Sequence, residues 1–181
     1  MAGDTGALGA MPPDPVLAGL REVDDADWWS LTALIAASWA EYPGCVTDVA
    51  GEYPELLAPA THTHEVGGRL WVLPEGAWVA ACVGLSPGSS GAGQPVELVK
   101  LYVARHRRRG GLGGALVGWT ERAARALGAT GIELWSDSRF TDAHRLYQRC
   151  GWRPTGATRD LHDRSQTTEL QFQKHLAAPT R

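Results

Sequence analysis

Apolar and polar positions along the chain repeat with two different periods, and these predict alternating helices and strands. From Trp28, apolar residues recur every three or four positions behind an acidic cap, which indicates a helix that Pro43 and Gly44 end. Runs of apolar residues, or apolar residues that alternate with polar ones, indicate strands. One predicted helix runs from residue 28 to the stop at Pro43, and two others cover residues 112 to 127 and about 142 to 150. A short helix lies near residues 55 to 60 in a loop of residues 46 to 68. The predicted strands cover residues 20 to 23, 69 to 73, 78 to 85, 96 to 103, 132 to 135 and 155 to 160, with a last strand around residues 168 to 173.

The order of these elements predicts a mixed α/β layer structure. Pro74, Glu75 and Gly76 join two strand-like segments, which indicates an antiparallel hairpin. The strand that follows, the second long helix and the next strand form a strand, helix, strand unit. One domain is expected over residues 19 to 177. Residues 1 to 18, which are rich in Gly, Pro and Ala, are expected to form a disordered tail.

The composition is that of an ordinary globular protein. A chain of 181 residues with 44% hydrophobic residues is long enough for one sizeable core. No apolar run reaches the length of a membrane span, and the first residues lack the basic and apolar regions of a signal peptide. A cytoplasmic protein that does not associate with membranes is therefore expected. The three cysteines, Cys45, Cys82 and Cys150, are too widely spaced for a disulfide framework or a zinc site and are predicted to lie in or near the core.

Charge is divided unevenly along the chain, although the net charge is −3. Nine acidic residues and no Lys or Arg lie between Glu22 and Glu65, whereas seven basic residues and one Glu lie between Lys100 and Arg125. The basic part suits a phosphorylated cofactor, and the acidic part suits a cationic amine. Nucleic acid is not expected as a partner, because the domain as a whole is acidic and no recognition motif accompanies the arginines.

A glycine-rich run, RRGGLGGAL from Arg108, lies between the predicted strand that ends at Val103 and the start of a predicted helix. Glycines let backbone N–H groups approach a ligand closely, and a helix N-terminus favours anions, so this run predicts a phosphate-binding loop. A Walker loop is excluded, because Ala115 and Leu116 stand where Lys and Ser or Thr are needed. A dinucleotide-binding loop, with Glu133 near the ribose, stays as an alternative, although its third glycine is missing.

A different pattern, Q/R-x-x-G-x-G/A, is matched in this run by Arg108, Gly111 and Gly113. The later run AHRLYQRCGW matches a second pattern, A-x-x-L-Y-x-x-x-G-F, with Trp152 in place of the Phe. Two separate motifs in this order make the chain resemble the GCN5-related N-acetyltransferase (GNAT) superfamily. The resemblance covers about residues 95 to 175 well and the N-terminal half in outline.

The GNAT resemblance implies a mixed, mostly antiparallel central sheet flanked by helices. Its fourth and fifth strands, here residues 96 to 103 and 132 to 135, are implied to splay apart and admit the pantetheine arm of acetyl-coenzyme A (acetyl-CoA). Relatives often carry an Asn where Phe140 stands beside Arg139, so one contact with acetyl-CoA departs from the pattern. The residues implied to bind acetyl-CoA, the co-substrate, are Leu101, Tyr102, Val103, Arg108, Arg109, Gly110, Gly111, Leu112, Gly113 and Gly114.

The resemblance also implies an N-acetyltransferase, in which a primary amine attacks acetyl-CoA directly, without a covalent enzyme intermediate or a metal. Tyr147 stands at the tyrosine of the second motif and is implied to protonate the leaving thiolate, because a phenol with a pKa of about 10 keeps its proton at neutral pH. Glu97, eleven residues before Arg108, is the candidate base for the amine, and a water chain is the alternative. The rival function is a sensor of the same fold that binds acyl-CoA without turnover.

Aromatic and acidic residues cluster at the end of the first helix and in the loop after it, as suits a site for an ammonium group. The cluster consists of Trp39, Glu41, Tyr42, Asp48, Glu52 and Tyr53. Glu41 and Tyr42, directly after the helix, are predicted to contact the acceptor, a small-molecule or peptide amine that is expected to be cationic. His62 and His64 lack a third ligand at a recognised spacing, so no metal site is predicted. The oligomeric state stays open, with a homodimer as one form common among GNAT relatives.

Overall fold

A seven-stranded sheet forms the centre of the molecule. The computed structural model describes residues 14 to 87 and 96 to 176. The strands follow the order β1-β2-β3-β4-β5-β7-β6, and all neighbours are antiparallel except β4 and β5. The mixed, mostly antiparallel α/β fold predicted from the sequence is therefore confirmed. The strands are β1 (Arg21–Glu22), β2 (Arg69–Glu75), β3 (Trp78–Ser86), β4 (Val96–Val103), β5 (Gly131–Asp137), β6 (Arg153–Asp160) and β7 (Thr168–His175).

Helices cover both faces of the sheet and create two cores. The helices are α1 (Trp28–Trp39), α2 (Val49–Glu52), α3 (Pro59–Glu65), α4 (Leu112–Ala126) and α5 (Thr141–Arg149). Leu116 and Tyr147, from α4 and α5, pack into the core on one face of the sheet. Leu31 and Val49, from α1 and α2, pack into the core on the other face. Burying one apolar face of each helix in this way supplies most of the helical stability.

The N-terminal segments differ from the sequence prediction in two places. Residues 46 to 68 were expected to be mostly loop, but they contain α2, a 3-10 helix at Pro54–Leu57 and α3. Proline at the start of the last two fits a first helical turn, which needs no N–H donor. Pro15–Leu17 form a 3-10 helix within the predicted tail, and Leu17 packs into the core, so residues 14 to 18 belong to the folded part. The rest of that tail lies outside the described residues.

The strands β4 and β5 pair at their N-terminal ends and then separate. Their register contains two pairs, Val96 with Ile132 and Glu97 with Glu133. Lys100, with a φ of 52°, marks an irregularity in β4 where its register with β3 shifts. The prediction of splayed fourth and fifth strands is confirmed, and the splay leaves a gap through the sheet between its two cores.

Candidate active site

The glycine-rich loop leads into the N-terminus of α4 with its backbone exposed. Gly111, the residue before the helix, has a φ of 85°, which a glycine adopts without strain. No side chain of the described residues caps this helix, so its first N–H groups are free to bind a ligand. A methyl group added at Gly110, Gly111 or Gly114 would meet no atom of residues 14 to 87 or 96 to 176 within 4 Å. The loop therefore has the open space and the donors that a diphosphate needs.

Arg108 connects this loop to the rest of the fold. Its Nε donates a hydrogen bond to the carbonyl oxygen of Val103 at 2.8 Å, at the end of β4. Its two terminal nitrogens donate to the carboxylate of Glu41 at 2.9 and 2.7 Å, just beyond α1. A bidentate pair of this kind fixes orientation as well as charge. The loop is thereby attached to both the strand and the helix that flank it.

A cavity of about 610 Å³ opens beside the loop, and we call it the glycine-loop cavity. Two of the ten predicted acetyl-CoA residues, Gly110 and Leu112, do not line this cavity. Leu112 is buried in the core instead. The predicted residues that line it are Leu101, Tyr102, Val103, Arg108, Arg109, Gly111, Gly113 and Gly114.

A second cavity, of about 440 Å³, lies at the splay, and we call it the carboxylate cavity. Four residues line both cavities, so the two meet in the gap between β4 and β5: Leu101, Tyr102, Phe140 and Ala143. Charged residues of both signs line the carboxylate cavity, namely Glu52, Asp137, Asp163, Glu169, Lys100 and Arg139. Its aromatic walls include Trp39, Tyr53 and Trp135. With four carboxylates and two cations, this cavity favours a positively charged ligand.

Tyr147, on α5, lines the carboxylate cavity and is almost fully buried. Its ring packs near Trp152 and Phe172, with centroid distances of 6.0 and 5.7 Å. Burial raises the pKa of its phenol far above the ordinary value, because the charged form loses water. The hydroxyl therefore carries its proton at neutral pH.

Glu97 lies where β4 and β5 still pair, and it lines neither cavity. Burial raises its pKa, as do the nearby charges of Glu133 and Glu169, while Arg159 at 3.9 Å lowers it. Arg159 also donates from Nε to Glu169 at 2.6 Å, and Glu169 does line the carboxylate cavity. The guanidinium of Arg159 also lies over the ring of Trp135, 4.4 Å from the ring centroid. Glu97 is thus linked to the wall of the carboxylate cavity through Arg159, the shared partner of Glu97 and Glu169.

The two residues predicted to contact the acceptor lie on the other side of the splay. Glu41 is paired with Arg108, and Tyr42 lines the glycine-loop cavity with its ring 4.6 Å from that of Phe140. Neither lines the carboxylate cavity. Arg139 pairs with Asp137, to which its Nη2 donates a hydrogen bond at 2.6 Å, and so stabilises the cavity wall.

Sequence reasoning missed most of the carboxylate cavity. Glu52 and Tyr53 belonged to the acidic and aromatic cluster recognised in the sequence, but they were passed over for Glu41 and Tyr42. Most of the lining residues that nothing in the sequence analysis singled out come from β5, β7 and the loop between β6 and β7. The available signal was the polar face of β7, which alternates with its buried face and carries Glu169.

Two kinds of feature do not occur in the part of the chain that the structure describes. Across residues 14 to 87 and 96 to 176, none of the helices has the length and apolar character needed to span a bilayer. Within the same ranges, no three His, Cys, Asp or Glu side chains gather closely enough to hold a metal ion.

Comparisons with known proteins agree with this architecture. An acetyltransferase of the GNAT family from Staphylococcus aureus Mu50 superposes with a TM-score of 0.72 at 16% identity, over 87% of this chain and 98% of that one. The structure of yncA from Salmonella typhimurium, which contains its cofactor acetyl-CoA, gives 0.64 at 19% identity, over 90% and 95%. An aminoglycoside 6'-N-acetyltransferase complexed with coenzyme A gives 0.64 at 15% identity, over 90% and 99%. Such similarities show a common fold. No curated protein matches the sequence.

A family model provides the more specific match. The model of the acetyltransferase (GNAT) family matches residues 31–152, which is well over half of the chain. The matched range runs from α1 through the splayed strands and the glycine-rich loop to the end of the second motif. The chain therefore belongs to the GNAT acetyltransferase family.

Proposed function

We propose that the protein is an acetyl-CoA-dependent N-acetyltransferase in which a primary amine attacks the thioester directly. The observation that carries this proposal is the meeting of two different cavities in the splay between β4 and β5. One cavity has an anion-binding loop, and the other has an excess of carboxylates. Substrates of opposite charge would therefore reach a common point from opposite sides, which is the arrangement a direct transfer needs.

The glycine-loop cavity fits acetyl-CoA as a co-substrate. Uncapped N–H groups at the start of α4 would bind the diphosphate, and the open space beside Gly111 and Gly114 leaves room for it. Beyond Glu97, β4 is not paired to β5 in the described structure, so backbone groups near Leu101 are available to the pantetheine amides, whereas the carbonyl oxygen of Val103 already accepts from Arg108 Nε.

The chemistry requires a proton acceptor for the amine and a proton donor for the leaving thiolate. We assign the donor to Tyr147, whose protonated phenol lines the cavity at the splay. We assign the base to Glu97, acting through water, because its raised pKa suits proton uptake and its side chain lies behind the wall. As the bond between the amine nitrogen and the acetyl carbon forms, the bond from carbon to sulfur breaks, and the thiolate takes the proton of Tyr147.

The proposed acceptor is a cationic small molecule or a peptide amine that binds in the carboxylate cavity. Its carboxylates outnumber its cations, and aromatic faces such as Trp135 and Tyr53 attract alkylammonium groups. The structural neighbour named for an aminoglycoside acceptor is consistent with this charge preference. We do not assign the acceptor contacts to Glu41 and Tyr42, because they lie beside the glycine loop.

The decisive experiment is a thiol-release assay with acetyl-CoA and a panel of amines, combined with calorimetry of coenzyme A and acetyl-CoA binding. Binding together with amine-dependent thiol release is the expected result. Binding without release from any amine would instead identify the acyl-CoA sensor. The absence of heat with both forms of the cofactor would contradict the assignment of the glycine-loop cavity.

The glycine loop itself is tested by Gly114→Ala. A methyl group at this position would enter the open space of the glycine-loop cavity, so the affinity for coenzyme A is expected to fall about tenfold, or ~1.4 kcal/mol. Because alanine favours a helix over glycine by about 0.5–1 kcal/mol, the melting temperature should not fall. Calorimetry and thermal unfolding measure the two effects.

The matched control is Gly118→Ala, one turn further along α4 and outside the cavity. Its added methyl group would meet the flexible end of Arg122 at 3.4 Å. The same gain in helix stability is expected, with unchanged affinity for coenzyme A. Equal affinities in the two variants would show that the loop does not contact the cofactor at Gly114.

The base is tested by Glu97→Gln, which keeps the shape of the side chain but cannot accept a proton. We expect kcat to fall about tenfold or more. Because the pKa of Glu97 is raised, kcat of the wild type should fall as the pH drops through a value above the ordinary glutamate pKa of about 4.3, where the base becomes protonated. That acidic limb should be absent from the pH profile of the variant.

Glu133→Gln provides the control, because Glu133 is paired in register with Glu97 and its charge helps to raise the pKa of Glu97. Removing that charge should move the acidic limb to lower pH while kcat at neutral pH stays the same. An unchanged limb in Glu97→Gln would assign the base to water or to another group.

A further inference from the structure

We infer that the acceptor is a diamine or polyamine, whose second, non-reacting cationic group binds Glu52 at the far end of the carboxylate cavity. This inference rests on the proposed function and makes it more specific. It names the chemical class of the acceptor and the residue that selects it.

The carboxylates of the cavity differ in how far they are already neutralised. Asp137 accepts from the guanidinium of Arg139, and Glu169 accepts from that of Arg159. These charges are balanced within the protein by contacts of 2.6 Å. A ligand would have to break an existing ion pair to use either of them.

Asp163 is also partly satisfied, because its Oδ1 accepts the backbone N–H of Thr167 at 2.8 Å. Lys100, which with Arg139 makes up the cations that line the cavity, lies over the ring of Tyr53 and is paired with Glu55 at 3.4 Å. The internal pairing of the cavity therefore accounts for its cations and for most of its carboxylates.

Glu52 is the exception. Its side chain is 16% exposed, and its Oε1 is buried without a hydrogen bond to any residue that the structure describes. Arg164 lies 3.9 Å from this oxygen, beyond hydrogen-bonding distance, and donates instead to Asp48 at 2.8 Å. A buried carboxylate oxygen without a donor costs free energy, which a bound ammonium group would recover. Glu52 is therefore the carboxylate best prepared for a ligand.

The position of Glu52 relative to Tyr147 indicates that this ammonium group is not the one that reacts. Tyr147 belongs to the core on the α4 and α5 face of the sheet, whereas Tyr53, the neighbour of Glu52, packs on the core of the opposite face. The thickness of the sheet lies between these two packing positions, so Tyr147 and Glu52 line opposite ends of the carboxylate cavity. One nitrogen cannot contact both ends, and the reacting nitrogen must be neutral, so Glu52 would hold a second, charged nitrogen.

The test compares three compounds with the same five-carbon chain and a primary amine at one end: 1,5-diaminopentane, 5-amino-1-pentanol and 5-aminopentanoate. Their distal ends are cationic, neutral and anionic. Calorimetry on protein saturated with coenzyme A measures binding, and thiol release from acetyl-CoA measures kcat/KM. We expect the diamine to exceed the amino alcohol at least tenfold in both, and the amino acid to be the weakest.

Glu52→Gln should bring the diamine to within about twofold of the amino alcohol, while the amino alcohol and coenzyme A bind as before. Glu52→Asp keeps the charge and should keep the preference, so it tests the charge if Glu52→Gln folds poorly. Glu65→Gln is the matched control, since it removes one exposed acidic charge at the end of α3, outside both cavities. It should keep the full preference for the diamine.

Two results would overturn the inference: equal binding of diamine and amino alcohol by the wild type, or an equal loss for both in Glu52→Gln. Thiol release from all three amines without preference would leave the proposed acetyltransferase function intact and remove the inference. Preferential, Glu52-dependent binding of the diamine without thiol release from any amine would support binding at Glu52 and contradict the proposed acetyltransferase function.

Discussion

Tyr147→Phe is expected to lower kcat about 100-fold or more while coenzyme A binds with unchanged affinity. The phenol lines the carboxylate cavity at the splay, and burial keeps it protonated by raising its pKa. Phenylalanine fills the same space against Trp152 and Phe172 but has no proton to give to the departing thiolate. Positioned proton donors contribute about 10²- to 10⁴-fold to turnover. Steady-state kinetics with saturating acetyl-CoA measure the loss.

Three further measurements separate this catalytic role from a structural one. The hydroxyl makes no hydrogen bond to another residue that the structure describes, so its removal should leave the melting temperature within about a degree of the wild type. The KM of the amine should also be unchanged, because an interaction made in the transition state alone affects kcat. Turnover of the variant equal to that of the wild type would exclude Tyr147 as the proton donor.

The sequence predicts the regular elements of the fold well, because their periodicity reflects burial directly. The predicted start of α1 and both bounds of β4 agree with the structure. The helix α1 ends at Trp39, before the predicted stop at Pro43, and α4 ends at Ala126, one residue before the predicted end. The segment from α2 to α3 was less predictable. Its elements are four to seven residues long and two of them start at a proline, so none repeats long enough to produce a clear period.

The two halves of the candidate site were predictable to different degrees for a physical reason. The glycine loop is a local structure, in which consecutive backbone N–H groups make the site, so its motif is readable in one stretch. The carboxylate cavity combines side chains from α2, β5 and β7, which only the folded sheet brings together. The pair between Glu41 and Arg108 joins residues 67 positions apart, and no local pattern reveals such a partner.

Two sets of hydrogen bonds fix the positions of the two cavities relative to each other. Arg108 ties the loop to β4 and to the residue beyond α1, while Tyr102, on β4, accepts a hydrogen bond from Trp39 Nε1 at 2.9 Å at the end of α1. The end of α1 is therefore connected to the same strand at two points, one for each cavity. A substitution of Glu41 should accordingly affect the affinity for coenzyme A more than the KM of the acceptor.

Lys174→Met is expected to lower the free energy of unfolding by about 3 kcal/mol and the melting temperature by about 6–12 °C. Lys174, on β7, donates from Nζ to both oxygens of Glu121 on α4 at 2.7 and 2.8 Å, and to the carbonyl oxygen of Cys150 at 2.7 Å. Glu121 is 7% exposed and also accepts from Trp152 Nε1 at 2.9 Å. Removing the ammonium group leaves the buried carboxylate with only Arg125, at 3.9 Å, as a cationic partner, and losing one partner of a buried ion pair is among the most destabilising single changes.

Two comparison variants distinguish this cause from a general loss of packing. Arg145→Met breaks an exposed pair with Asp142 on α5, and it should change the free energy of unfolding by no more than about 1 kcal/mol. Adding Glu121→Gln to Lys174→Met removes the buried charge but keeps an acceptor for Trp152, so the double variant should be more stable than Lys174→Met alone. Equal melting temperatures for these two variants would mean that the buried charge of Glu121 is not what destabilises the protein. Thermal and denaturant unfolding measure the series, and the pair is expected to couple because its members are in contact.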